Sequence, residues 1–375
     1  MRAYRMIHWG GNPRAVEVPA PEPAPGQVLV RVAGCGLCHS DFAMRAMPQA
    51  MGAKLGWAMP FTLGHEIGGW IASGGTDGGT DGGTVGLPDG FAVGDPVALV
   101  SANSCGRCAL CERGSDNCCT YGAFGRGYGR DGGLAEYVLV DDARALLRLL
   151  KVDPFTAGPL TDAGATAYHA VRRALPRLGG TGGTAVVIGA GGLGAFAVQF
   201  LRLLSGGDTG GGDTGGGNTL GGDISGGDIS GGARIVAVDS RPQALERAEE
   251  LGVHEGLSGA DKLRHGSADV VLDFVGTDET ISAGVAAVRP GGAFGLVGAA
   301  GGRLDRAWFT GLPRDGEVFT FQGGTIADAR EVIALAEDGL IRNDVTVFPF
   351  DRIDEAYARL ASGTLTGRAV ITPAS

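Results

Sequence analysis

Apolar and polar positions alternate with a period of two at residues 3–8 and 27–33, which predicts two strands. Prolines 19, 21, 23 and 25 mark the connection between them as a loop. Residues 92–100 read as a turn and a strand, and 136–140 as a further strand. A short helical region begins at Asp153-Pro154 and ends in residues 158–164, followed by a helix over 166–174. From 184 onward the rhythm changes. Residues 184–188 form a continuous apolar β run, then come a glycine-rich turn at 189–194 and a helix to about residue 204. Strands are predicted at 234–239, 269–276, 292–298 and 318–322, with a helix at 277–288. A helix at 328–338, a strand at 345–350, a helix at 353–360 and a closing strand at 367–371 complete the pattern. Alternating β and α units predict an α/β fold whose parallel sheet is covered on both faces. A length of 375 residues suggests two domains, or one large one.

Composition changes this picture in one place. Glycine supplies 70 residues, and two low-complexity stretches explain part of the excess. Residues 74–84 repeat Gly-Gly-Thr-Asp, and residues 206–232 repeat Gly-Gly-Asp-Thr-Gly and then Gly-Gly-Asp-Ile-Ser. Neither stretch can bury a core, so both are expected as flexible loops. The nine-residue period of calcium-binding β-helices is absent, which argues against calcium. A net charge of -10 and the lack of a basic stripe argue against nucleic acid. No apolar run reaches the roughly 18 residues of a membrane span, and none follows the N-terminus as in a signal peptide. A soluble cytoplasmic protein is the expectation.

The seven cysteines lie at 35, 38, 105, 108, 111, 118 and 119, clustered as metal ligands rather than spread as a disulfide framework. Cys105, Cys108 and Cys111 at two-residue gaps, with Cys118-Cys119 shortly beyond, point to a closed four-cysteine zinc site. Spacing alone leaves the fourth ligand open between Cys118 and Cys119. Cys35 reads as a small buried residue. A second constellation is dispersed: Cys38 in Cys38-His39-Ser40-Asp41, His65 in Gly64-His65-Glu66, and Asp162. Thiolate, imidazole and carboxylate, with a fourth position open, are how a catalytic zinc is held.

Gly189-Ala190-Gly191-Gly192-Leu193-Gly194 stands between a strand and a helix, the context that makes this spacing a dinucleotide site. The glycines permit a tight turn and close backbone approach, and the helix N-terminus receives the pyrophosphate. Asp239 ends the next strand, 50 positions after Gly189; without residues 206–232 the separation is 23, close to the roughly 20 expected. The long glycine tract is therefore an insertion between the first helix and the second strand. Asp239 is expected to bind the adenosine ribose hydroxyls and to favour NAD; Arg241 is a candidate for a 2′-phosphate, which Asp239 would repel.

These motifs, together with Gly367-Arg368-Ala369-Val370, make the sequence resemble the zinc-dependent medium-chain alcohol dehydrogenases over nearly its whole length. Pro159-Leu160-Thr161-Asp162-Ala163-Gly164 and Tyr168-His169-Ala170 look closest to bacterial NAD-dependent secondary alcohol dehydrogenases. The resemblance implies a GroES-like, mainly β catalytic domain at 1–163, with the zinc lobe at about 101–122. It implies a Rossmann domain at 164–322 and a return to the catalytic domain at 323–375, with the active site in the cleft between them. It implies two zinc ions per chain, one held by Cys38, His65 and Asp162, the other by Cys105, Cys108, Cys111 and Cys119, the family gap excluding Cys118. Many relatives have Cys where this chain has Asp162. Glu66 then resembles the acid that can approach the metal, and Asp41 the acid that orients His65. Ser40 is the first carrier of the proton leaving the alcohol. His39 and Arg368 match positions that contact the cofactor pyrophosphate; Val275, Val297 and Gly298 match positions beside the bound cofactor. Trp57 and Phe42 are candidate walls of the substrate pocket, and Gln322-Gly323-Gly324 lacks the bulk many relatives carry, implying a roomy pocket.

Ala43 stands where some relatives have the last His of a proton relay, so the relay ends in water or uses His39. The implied reaction is hydride transfer between a small alcohol or ketone, most simply a secondary alcohol, and NAD, with NADP the lesser alternative, in a homodimer or homotetramer. A polyol, sugar or aryl alcohol dehydrogenase or a carbonyl reductase of specialised metabolism is the alternative within the family. A non-catalytic dinucleotide sensor is the alternative outside it, and the intact set Cys38, His65, Asp162 and Ser40 argues against that.

Overall fold

The computed structural model describes residues 1–75, 86–122, 125–178, 182–206 and 232–373. The glycine repeats at 74–84 and 206–232 lie almost wholly outside them. The chain divides into two compact units, Met1–His169 with Gln322–Ser375, and Ala170–Phe321. Among the described residues no helix is long and apolar enough to cross a membrane.

The first unit is mainly β. Strand Val28–Gly36 is its centre and pairs antiparallel with Glu66–Gly74, Tyr137–Val140 and Arg368–Thr372. The sheet continues through Pro96–Leu99 to Leu146–Arg148 on one side and through Val345–Pro349 on the other. A smaller sheet joins Arg2–Met6 to Arg14–Glu17 and Phe61–Thr62. Alternation along the central strand is uneven because both faces are covered, and Val28, Val30, Val32 and Cys35 all enter the same buried cluster with Ile67, Leu99, Val138 and Ile371. Glu66–Gly74 is a strand that alternation did not predict. Its Gly68 and Gly69 leave room for the Pro154 and Arg31 carbonyls, so close packing removes the side chains that would have carried the signal.

The second unit is a parallel sheet. In chain order its strands are Thr184–Ile188, Arg234–Val238, Glu255–Leu257, Ala268–Asp273, Val288–Leu296 and Glu317–Thr320. Their spatial order is third, second, first, fourth, fifth, sixth, the doubly wound order that reverses direction beside the first strand. Thr184 pairs with Arg234 and Ile188 with Val238, so the first two strands are in register although residues 206–232 intervene. The buried faces carry Val186, Ile188, Val236, Val238, Val271 and Phe294. Helix Pro242–Glu250 and strand Glu255–Leu257 were not read from the sequence.

Candidate zinc and dinucleotide sites

The central strand ends at Gly36 and delivers Cys38 to the start of the short helix Ser40–Arg45. Asp41, in the first turn, accepts the Cys38 backbone N–H through Oδ2 at 3.0 Å and the Tyr357 hydroxyl at 3.1 Å. Opposite, Gly64 adopts φ +95°, and a Cβ there would lie 2.5 Å from Cys35 Sγ and 2.9 Å from the Leu134 backbone nitrogen. Only glycine makes that turn without strain, and the turn presents His65. Asp162 comes from Leu160–Gly164, a wide π-helical turn of the kind often found at functional sites.

One ligand atom each from Cys38, His65, Glu66 and Asp162 lies within 4.8 Å of the others. His65 Nε2 stands 3.5 Å from Asp162 Oδ2, and Nδ1 stands 3.5 Å from Asp41 Oδ1. Glu66 is fully buried, pairs with Arg368 through Oε1, and leaves Oε2 without a hydrogen-bond partner. Arg368 also lies 4.0 Å from Asp162 Oδ2, so its guanidinium faces the acids. Burial pushes the Cys38 thiol up, but Arg368 and His65 outweigh it and hold the thiol below its ordinary range. Burial likewise works against Asp162, yet the His65 imidazole and the Ser101 hydroxyl keep its carboxyl low. Sulfur, nitrogen and oxygen donors converging with thiol and carboxyl held toward their anionic forms suit a borderline cation such as zinc.

Two neighbours escaped the sequence reading. The Tyr128 hydroxyl lies 2.8 Å from Ser40 Oγ and 3.1 Å from His65 Nε2, with the rings 4.7 Å apart. Ser101 donates to Asp162 Oδ1 at 3.3 Å. The signal for Tyr128 was its setting between Gly127 and Gly129, at φ +75° and +78°. A Cβ on Gly127 would meet the Gly64 nitrogen at 2.8 Å, so the glycine lets this loop press onto the turn that carries His65. Of the proposed pocket walls, Phe42 packs edge-on against Tyr357, and Trp57 is buried against Phe61, with Gly129 leaving room for its ring. The His39 ring packs at 6.0 Å on Phe42.

In the lobe, Cys111 Sγ lies 3.5 Å from Cys108 Sγ and 4.0 Å from Cys105 Sγ, and Cys108 lies 4.0 Å from Cys119. A tetrahedron with zinc–sulfur bonds of about 2.3 Å has edges of about 3.8 Å. The Cys105 and Tyr121 amides point at Cys119 Sγ at 3.3 and 3.4 Å, as donors do toward a thiolate. Cys118 is exposed and stands outside this group.

In the second unit, Gly189 at φ +86° turns the chain from its strand, and Gly191 precedes helix Gly192–Ser205. A Cβ on Gly194 would overlap the Gly189 carbonyl, so the third glycine lets the helix sit directly on the strand. Leu193 lies in the first turn of that helix. The next strand along carries Asp273, whose Oδ1 accepts the Val275 and Gly276 amides at 2.8 and 3.0 Å. Val297 and Gly298 donate to the Asp273 carbonyl, and Gly298 packs bare against the Val275 backbone. This glycine cradle at the reversal of strand order fits a dinucleotide. Asp239 is 7% exposed and accepts from Ala190 and Arg241, not presented as a bare carboxylate.

Residues 24–151 match the model of the alcohol dehydrogenase GroES-like domain, and residues 232–371 that of the zinc-binding dehydrogenases. An NAD-dependent alcohol dehydrogenase of Sulfurisphaera tokodaii is 30% identical, with all of both chains covered. A D-arabinose 1-dehydrogenase (NADP(+)) of Saccharolobus solfataricus is also 30% identical, over 96% of this chain and 95% of the relative. Among solved structures, the alcohol dehydrogenase of Aeropyrum pernix superposes with a TM-score of 0.82 at 27% identity, all of both chains covered. With likeness of sequence running the full length and the doubly wound sheet joined to a GroES-like unit, the chain belongs to the zinc-dependent medium-chain alcohol dehydrogenase family.

Proposed function

We propose that this chain passes hydride between a secondary alcohol and NAD, in either direction, with a catalytic zinc on Cys38, His65 and Asp162 and a structural zinc on Cys105, Cys108, Cys111 and Cys119. The observation that carries the reading is the convergence of Cys38, His65, Glu66 and Asp162 within 4.8 Å, beside the Ser40 hydroxyl's partner Tyr128. When bound, the metal supplies polarisation of the substrate oxygen and the nicotinamide supplies the hydride acceptor or donor.

The chain's own groups do the rest. A Cys38 thiolate and an Asp162 carboxylate balance a dication, and neutral His65 completes the set. Asp41, itself fixed by the Cys38 amide and Tyr357, faces His65 Nδ1 and turns Nε2 toward the metal position. Arg368 neutralises Glu66, so that a third anion does not crowd the site. Ser40 Oγ takes the proton leaving an alcohol and returns it when a carbonyl is reduced; Tyr128 holds that hydroxyl in place. Residues 189–194 receive the pyrophosphate, with Val275, Val297 and Gly298 beside the cofactor. By family likeness the assembly is a homodimer or homotetramer and the compartment is the cytoplasm.

A sugar or polyol substrate is the second reading. It is favoured by the polar pair Ser40–Tyr128 and by likeness to the arabinose dehydrogenase. The deciding measurement is NADH formation across secondary alcohols, primary alcohols and polyols, with a zinc-chelated control. Chelator-sensitive turnover led by secondary alcohols supports the proposal, and turnover led by sugars moves it to the second reading. Fully zinc-loaded protein that binds NADH but oxidises no alcohol and reduces no ketone would sink both.

A further inference from the structure

Arg126 is 8% exposed, and no acid pairs with it among the described residues. Its Nε donates to the Leu139 carbonyl at 3.3 Å, which leaves Nη1 and Nη2 without a hydrogen-bond partner among those residues. Burial pulls its pKa down to about 10, so the group stays cationic at neutral pH. A guanidinium taken out of water without a counter-charge is costly.

The side chain lines a cavity of about 520 Å³ within the first unit, a volume typical of small-molecule sites. The other charged side chains of its lining are already matched. Arg5 pairs with Asp131 at 2.8 Å and Arg130 with Asp141 at 2.5 Å. Asp131 also accepts the Thr62 N–H and Asp141 the Gln27 side-chain amide, which fixes both acids. Arg126 is therefore the one cationic side chain of this lining with no acid beside it. Val18, Pro19, Pro21 and Leu139 give the cavity an apolar wall. Cys38, His65, Glu66 and Asp162 do not line it, so it is a separate place from the zinc site. Two open Nη groups match the two oxygens of a carboxylate. A single positive charge suits a monoanion better than a phosphate dianion, which would also face Asp131 and Asp141.

We propose that this cavity binds a small organic monocarboxylate, its head clamped by Arg126 Nη1 and Nη2 and its hydrocarbon body laid against Val18, Pro19, Pro21 and Leu139. The test is calorimetry on the zinc-loaded full chain at neutral pH, with hexanoate as the probe and hexanamide and inorganic phosphate in parallel. Hexanoate should saturate with a Kd of about 1 mM or tighter. The uncharged amide and the phosphate should bind at least about tenfold more weakly. Arg126→Leu, which removes the fork, should weaken hexanoate by about tenfold or more. Arg126→Lys, which keeps the charge without the fork, should weaken it by about threefold or more, and it carries the test if the leucine variant does not fold. A carboxylate can also ligate zinc, and dependence on Arg126 separates the two places. Unchanged hexanoate affinity in folded variants overturns the proposal. So does hexanamide that binds as tightly as hexanoate, phosphate that binds more tightly, or a wild type that shows no saturable binding.

Discussion

The Tyr128 hydroxyl lies 2.8 Å from Ser40 Oγ, and the same oxygen lies 3.1 Å from His65 Nε2. One phenol thus stands between the proton carrier and a metal ligand, and its tie is to Ser40. Burial pushes its pKa well above the ordinary phenol range, so it stays protonated and always has a hydrogen to donate. Tyr128→Phe keeps the ring and removes the tie. We expect kcat/KM for a secondary alcohol to fall about tenfold, the scale of one lost hydrogen bond in a buried site, while zinc content stays unchanged. Metal analysis beside steady-state kinetics checks both halves. Zinc loss in this variant would mean that the tyrosine supports the metal rather than Ser40.

Gly36 and Glu66 are direct antiparallel partners. A Cβ on Gly36 would overlap Glu66 Oε2 and stand 2.8 Å from Glu66 Cβ. The buried carboxylate cannot retreat, because Arg368 holds its other oxygen. Gly36→Ala should therefore push Glu66 toward Cys38 and Asp162 and weaken metal binding there by roughly tenfold or more. The lobe cysteines are elsewhere in the chain, so zinc should drop toward one ion per chain rather than none. Retention of both ions with unchanged turnover would contradict this packing argument.

Cys118 and Cys119 are adjacent in sequence and opposite in consequence. Cys119 Sγ lies in the four-sulfur group and receives two amides, whereas Cys118 is exposed. Cys119→Ser should cost the lobe its metal and lower the melting temperature by several degrees, since a metal bound only in the folded state stabilises it. Cys118→Ser should leave both zinc content and melting temperature within error. The paired melts decide the ligand, and the reverse pattern would exchange the two assignments.

How much of this could be read beforehand depended on distance along the chain. The nucleotide-binding strands other than the three-residue Glu255–Leu257 announced themselves because each is a local run, and removing residues 206–232 restores the spacing that pairs Thr184 with Arg234. The cysteine lobe was legible for the same reason. Tyr128 was not, because it meets His65 at a sequence separation of 63 through a contact that only the Gly127–Gly64 approach creates. Strand Glu66–Gly74 was hidden by its own glycines. Asp239 could be recognised by place, but its engagement by Arg241 is a matter of side-chain direction, which periodicity does not carry.

Asp328 shows how far a buried acid outside the zinc site matters for stability. It sits in the first turn of helix Ile326–Glu337, is 1% exposed, and joins Thr325 in a reciprocal cap. Its Oδ2 also lies 2.7 Å from His169 Nδ1. Burial alone would raise its pKa, but His169, the Thr325 hydroxyl and the Thr325 amide bring it down to about 2. A folded pKa below the unfolded value of about 3.9 means that the unfolded chain takes up the proton first as pH falls. The contribution is complete above about pH 5 and fades as pH drops toward 2, and it amounts to about 2–3 kcal/mol. Asp328→Asn should accordingly be less stable than the wild type by about that much at pH 6, in urea melts of zinc-loaded protein. The gap should narrow as pH falls below about 5, because the wild type alone loses the ionised cap. A gap that stays constant would locate the loss in shape and hydrogen-bond count rather than in the charge.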